Sequence, residues 1–66
     1  MPRSEVLRRL EVAINANADL GVTSGQLRSD FLAAVNKALR TIGGVAVRSL
    51  DDDGALYRAM VRLEAA

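Results

Sequence analysis

The 66-residue chain contains no cysteine and no histidine. Without cysteine there is no disulfide framework, and without either ligand type a structural zinc site is close to excluded. The same absences weaken catalysis. General acid–base work near neutral pH most often uses histidine, and nucleophilic sites most often use cysteine or a serine beside a base. The serines here have no base near them in sequence. No enzyme activity and no cofactor are expected.

Aromatic residues are almost missing too: Phe31 and Tyr57 are the only two. Platforms that stack single-stranded nucleic acid use several, so a reader of that kind is not expected. Phe31 is assigned to the core and Tyr57 to packing across strands. No apolar run approaches the roughly 18 residues of a membrane span. The opening Met1-Pro2-Arg3-Ser4 has no signal-peptide profile. The expectation is a soluble cytoplasmic protein without membrane contact. It forms one small domain, 1–66, near the lower size limit for independent folding, and self-association would suit so small a core.

The strongest positive signal lies between Leu27 and Ile42. Leu27, Phe31, Val35, Leu39 and Ile42 recur at intervals of four, four, four and three, with Ala38 beside Leu39. That is one apolar stripe on a helix of about 3.6 residues per turn. Thr23-Ser24-Gly25-Gln26 fits a capping box, and Gly43-Gly44 supply a helix stop. The spacing predicts a helix over 24–42, about 28 Å long at about 1.5 Å per residue. Ser29-Asp30 could instead cap a second helix within this run.

Ahead of it, Ser4 is a plausible cap for a first helix. Val6, Leu7, Leu10, Ala13 and Ile14 give the spacing of one buried face, so a helix is predicted over 4–18, closed by Gly21. After Gly44 the period changes. Val45, Val47 and Ser49 alternate with Ala46, Arg48 and Leu50, and Tyr57, Ala59, Val61 and Leu63 alternate with Arg58, Met60, Arg62 and Glu64. With Asp51-Asp52-Asp53-Gly54 as a turn, this predicts a β-hairpin pairing 45–50 with 56–64. A helix is the rival: Leu56, Ala59, Met60 and Leu63 also form a helical stripe, capped by Asp53. The fold class expected is therefore α+β, a two-helix hairpin followed by a C-terminal β-hairpin.

Charge is spread unevenly. Net charge is +1. Residues 21–50 carry Arg28, Lys37, Arg40 and Arg48 against Asp30, while 51–66 carry Arg58 and Arg62 against Asp51, Asp52, Asp53 and Glu64. A basic central segment suits an anionic partner. The acidic cluster does not make a calcium loop. With Gly54 at the sixth position of an EF-hand, Met60 falls where the bidentate glutamate is needed. Gly43-Gly44 follows a helix, whereas phosphate loops lead into one.

A helix, a capped basic helix, a double glycine and a hairpin, in that order, resemble a winged helix-turn-helix DNA-binding domain. The residues that carry the resemblance are Ala33 to Ile42, similar to a recognition helix, with Thr23 and Gln26-Leu27 as the start of the preceding helix. Val45 to Leu63 would be the wing, and the turn is compressed around Ser29-Asp30. The resemblance implies that Asn36 and Lys37 face base edges in the major groove of double-stranded DNA. Arg28 and Arg40 would then contact phosphates, and Arg48 or Arg58 would lie on the wing. It implies a small DNA-binding regulator, possible also as a homodimer. The alternative is a protein-interaction module with no nucleic-acid role, either a small inhibitor or adaptor or a self-assembling subunit.

Overall fold

The computed structural model describes every residue except Asp19 and Ser24. Among the described residues there are three helices and no strand: α1 (Arg3–Ala18), α2 (Arg28–Thr41) and α3 (Asp53–Ala65). Helix α1 packs against both others and most extensively against α3, while α2 and α3 touch one another least. One core runs through the molecule, and α1 gives it Val6, Leu10, Ala13 and Ile14. These sit about one turn apart on one face, as the sequence spacing requires.

Helix α2 contributes Phe31, Val35, Ala38 and Leu39, four residues of the expected stripe, and Ile42 packs partly buried beside them. Its start lies later than expected. The first residue is Arg28, the N-cap residue Leu27 makes no side-chain cap hydrogen bond, and Leu27 is 73% exposed instead of joining the core. Half of the capping box does form one turn earlier: Thr23 N–H donates to Gln26 Oε1 at 2.6 Å. It closes a local turn, with Gln26 N–H on the Thr23 carbonyl at 3.1 Å. Ser24 lies outside the described residues. From Arg28 on, the helix is unbroken through Ser29-Asp30.

The end of α2 follows its glycines. Gly43 has φ of 71°, in the left-handed region that a β-carbon disfavours. This lets Gly43 N–H reach the Arg40 carbonyl at 3.3 Å and Gly44 N–H reach the Leu39 carbonyl at 2.8 Å. Two otherwise orphaned carbonyls are thereby satisfied, in a Schellman motif.

The C-terminal hairpin is overturned, and with it the α+β class, the winged helix-turn-helix resemblance and any wing. Residues 53–65 are helical, and the buried side chains are Leu56, Ala59, Met60 and Leu63, the rival stripe. The cap is Asp52, whose carboxylate accepts from Ala55 N–H at 3.0 Å; Asp53 stands inside the first turn. The physical reason is burial. A strand would turn Tyr57, Ala59, Val61 and Leu63 inward together and expose Leu56 and Met60, whereas the helix puts the largest apolar side chains on one face. Ala, Leu, Met, Arg and Glu also favour helix.

Residues 45–50 do not pair with a strand either. Their backbone partner is a side chain. The Asn36 amide donates to the Val47 carbonyl at 2.9 Å and accepts from Val47 N–H at 2.7 Å, the two-bond pattern a neighbouring strand would supply. Val47 is buried while Val45 is 88% exposed. The same device closes the first connection: Asn15 donates to the Val22 carbonyl at 2.9 Å and accepts from Val22 N–H at 2.8 Å. Each asparagine pins a buried valine that follows a glycine of positive φ, Gly21 or Gly43.

Candidate interaction surface

Weak contact between α2 and α3 leaves a hollow on one side of the bundle. Helix α3 forms one wall from Ala55 to Ala65, and residues 43–47, with Leu39 beneath, form the other. Its volume is about 690 Å³, against about 110 Å³ and 210 Å³ for two smaller hollows that share Arg3. The 55–65 wall is about 15 Å long at the helical rise of about 1.5 Å per residue.

Each wall has a local cause. On α3, Tyr57 and Val61 are four residues apart, as are Arg58 and Arg62, so two neighbouring rows run along the outer side of the helix. Tyr57 is 47% exposed and Val61 46%. On the opposite wall, the Asn36 clamp holds Val47 inward and Val45 is left facing out. Between the walls, Gly44 allows a close approach: a β-carbon there would stand 3.0 Å from Leu39 Cδ2 and 3.3 Å from Arg62 Nε. The arginine stem therefore lies along a glycine floor with its charged end free.

The basic side chains fall into two groups. Arg3 pairs with Asp53 at 2.5 Å, Arg8 with Glu5 at 2.5 Å, Arg9 with Glu64 at 2.5 Å and Arg28 with Asp51 at 2.6 Å. Arg3 also donates to the Leu50 carbonyl, tying α1 to the connection before α3. Arg9 engages both Glu64 oxygens, and this hydrogen bonding holds its guanidinium above the usual arginine range. The hydrogen bond from Arg8 keeps the Glu5 carboxyl below the usual glutamate range, aided by the nearby Arg8 and Arg9 charges. In contrast, the side chains of Lys37, Arg40, Arg48, Arg58 and Arg62 make no ion pair with the described residues.

The six residues expected to meet nucleic acid are therefore not alike. Asn36 is half-buried and spends its amide on Val47, so it has no free edge to offer a base. Arg28 is bound to Asp51 at the start of α2. Lys37 and Arg40 are near the end of that helix, one turn apart, and both are exposed. Arg48 is in the 42–52 connection, and Arg58 is on α3 lining the hollow, in place of the expected wing. Four of the six, Arg28, Asn36, Lys37 and Arg40, stand on α2, and Arg48 and Arg58 stand off it. Sequence reasoning leaves Arg62, Val61 and Val45 out of any site. Their signal is the four-residue spacing of Tyr57 with Val61 and Arg58 with Arg62, legible only once 53–65 is read as helix.

Among the described residues no group of acidic side chains could hold a metal ion, and no helix is long and apolar enough to cross a membrane. Comparison with family models, curated proteins and solved structures gave no match for this chain.

Proposed function

We propose that this chain is a non-catalytic, cytoplasmic protein-interaction module that receives a partner in the hollow between residues 43–47 and the outer side of α3. One observation carries the reading: Val45, Tyr57 and Val61, three of the molecule's exposed large apolar side chains, line a single hollow together with Arg58 and Arg62. Scattered apolar side chains are ordinary on a protein surface, whereas a contiguous set rimmed by polar groups marks an interaction site. Tyrosine and arginine are also the residue types that anchor interfaces most often.

Duplex DNA binding has less support. The helix that would enter the groove has its asparagine amide and its first arginine engaged within the chain, leaving Lys37 and Arg40 as its cations without an ion pair among the described residues. Two phosphate contacts would give weak, non-specific affinity.

Site-specific photo-crosslinking in cells of the source tests the proposal. A photoreactive residue at position 45 or 61 is expected to capture one defined protein, identified by mass spectrometry and rebuilt as a complex from purified components. The same residue at position 8, on the ion-paired side, should not capture it. Adducts that form with nucleic acid from positions 37 and 40, with none to protein from 45 and 61, would reverse the assignment.

A further inference from the structure

The hollow's size and charge restrict what can fill it. Twelve residues line it, whereas a stable interface between two folded proteins uses about 20–30 residues a side. A short segment fits better than a second domain. Along about 15 Å of α3, about ten helical residues can lie, which is about three turns. Such a segment would present apolar anchors at i, i+3 or i+4, and i+7 to Val45, Tyr57 and Val61, the helix-in-groove mode.

Charge then selects the flanks. Arg58 and Arg62 line the hollow and have no carboxylate of this chain's described residues within ion-pair distance. Carboxylates beside the anchors could accept bidentate hydrogen bonds from both guanidiniums, partly desolvated against apolar walls. A second copy meets the opposite situation. A two-fold interface places the same patch on both sides, so Arg58 and Arg62 would face their own counterparts. Of the acids that a copy could bring, Glu5, Asp51, Asp53 and Glu64 already hold its own arginines and Asp52 caps its α3, while Asp30 lies in the first turn of α2, outside the hollow's lining.

Resting on the interaction-module reading, we infer that the occupant is an acidic amphipathic helix of another protein, with apolar anchors in the hollow and carboxylates on Arg58 and Arg62.

Fluorescence anisotropy with two labelled amphipathic peptides of about 14 residues, enough to cover the roughly three-turn wall, tests this. Both carry leucine at the anchor positions; one has glutamate and the other lysine on the flanks. The acidic peptide is expected to bind at least tenfold more tightly than the lysine peptide. Arg58→Glu with Arg62→Glu should reverse that order, and Tyr57→Gln with Val61→Gln should abolish binding of both while the unfolding midpoint stays within a few degrees. If both peptides bind equally and the glutamine pair abolishes both, the hollow remains the docking site but its acidic preference is overturned. Sedimentation that shows a dimer lost in the glutamine pair makes a second copy the occupant and overturns the inference. Failure of both peptides, with duplex DNA bound through Arg58 and Arg62 regardless of the glutamine pair, overturns the inference and the module reading together.

Discussion

The two sides of α3 differ in what they carry and in what they are used for. The inner side carries Leu56, Ala59, Met60 and Leu63, none more than 5% exposed, sealed against α1 and the rest of the core. The outer side carries Tyr57 and Val61, about half exposed, with Arg58 and Arg62 beside them. Arg3, Arg8, Arg9 and Arg28 lie against acids of the same chain; among the described residues these two arginines have no such partner. One side of the helix holds the fold together, and the other is available to something outside it.

Single truncations separate the sides most sharply. Leu63→Ala or Leu56→Ala should cost about 2–5 kcal/mol, the range for removing a buried leucine, measured by urea unfolding. For a domain this small that loss approaches the whole stability. Val61→Ala should stay within about 0.5 kcal/mol of the parent. A large loss at position 61 would make the outer side part of the core.

Next in size are the asparagine clamps. Asn36→Ala leaves the part-buried N–H and carbonyl of Val47 without their partner, a cost of about 1–3 kcal/mol for two lost hydrogen bonds. Hydrogen exchange should report it as faster exchange at Val47, with Val45 and its neighbours loosened and the hollow's wall displaced. Asn15→Ala should act on Val22 in the same way and leave the hollow alone. If both substitutions disturb the hollow equally, the two connections are not independent.

A smaller effect is expected at Gly43. With φ of 71°, Gly43→Ala forces a β-carbon into the left-handed region, costing about 1–2 kcal/mol by thermal unfolding. No steric contact adds to this, since a β-carbon at position 43 would have nothing within 4 Å of it.

The smallest effect belongs to the ion-paired side. Glu5 titrates below the usual glutamate range because Arg8 hydrogen-bonds its ionised form. Its contribution to stability is therefore complete above the unfolded-state value and is lost as pH falls through the folded-state value. A carboxyl NMR titration should place the Glu5 midpoint below that of an unpaired glutamate, and Arg8→Gln should bring it back. Exposed pairs of this kind contribute little to stability, so the unfolding midpoint at neutral pH should barely move.

Much of the fold is legible in the sequence because helical stripes are periodic over many residues. The Val6–Ile14 face and the Phe31–Leu39 stripe are buried as their spacing requires, and the double glycine ends α2. The third element misleads because its residues alternate well enough to fit period two as well as 3.6. Propensity and the total apolar volume on each face decide between those periods, and they favour helix. The start of α2 is misplaced by sequence reasoning because the Thr23–Gln26 contact looks the same in a turn as at a helix cap.

The candidate site is legible only in part. Segmental charge draws attention to Lys37, Arg40, Arg48 and Arg58, but charge along a chain does not say which arginines will be neutralised by acids far away in sequence. Arg3 with Asp53 and Arg9 with Glu64 join residues 50 and 55 positions apart. Asn36 reads as a partner-facing residue because the backbone it holds lies eleven positions on, in a segment whose alternation suggests a strand.

Methyl and amide NMR spectra during titration with the acidic amphipathic peptide test the outer side of α3 most directly. Val45 and Val61 methyls and the Arg58 and Arg62 side-chain resonances are expected to shift together and saturably, with Val6 and Val22 unmoved. Shifts confined to Lys37 and Arg40, or spread evenly through the core valines, would contradict a docking face on α3.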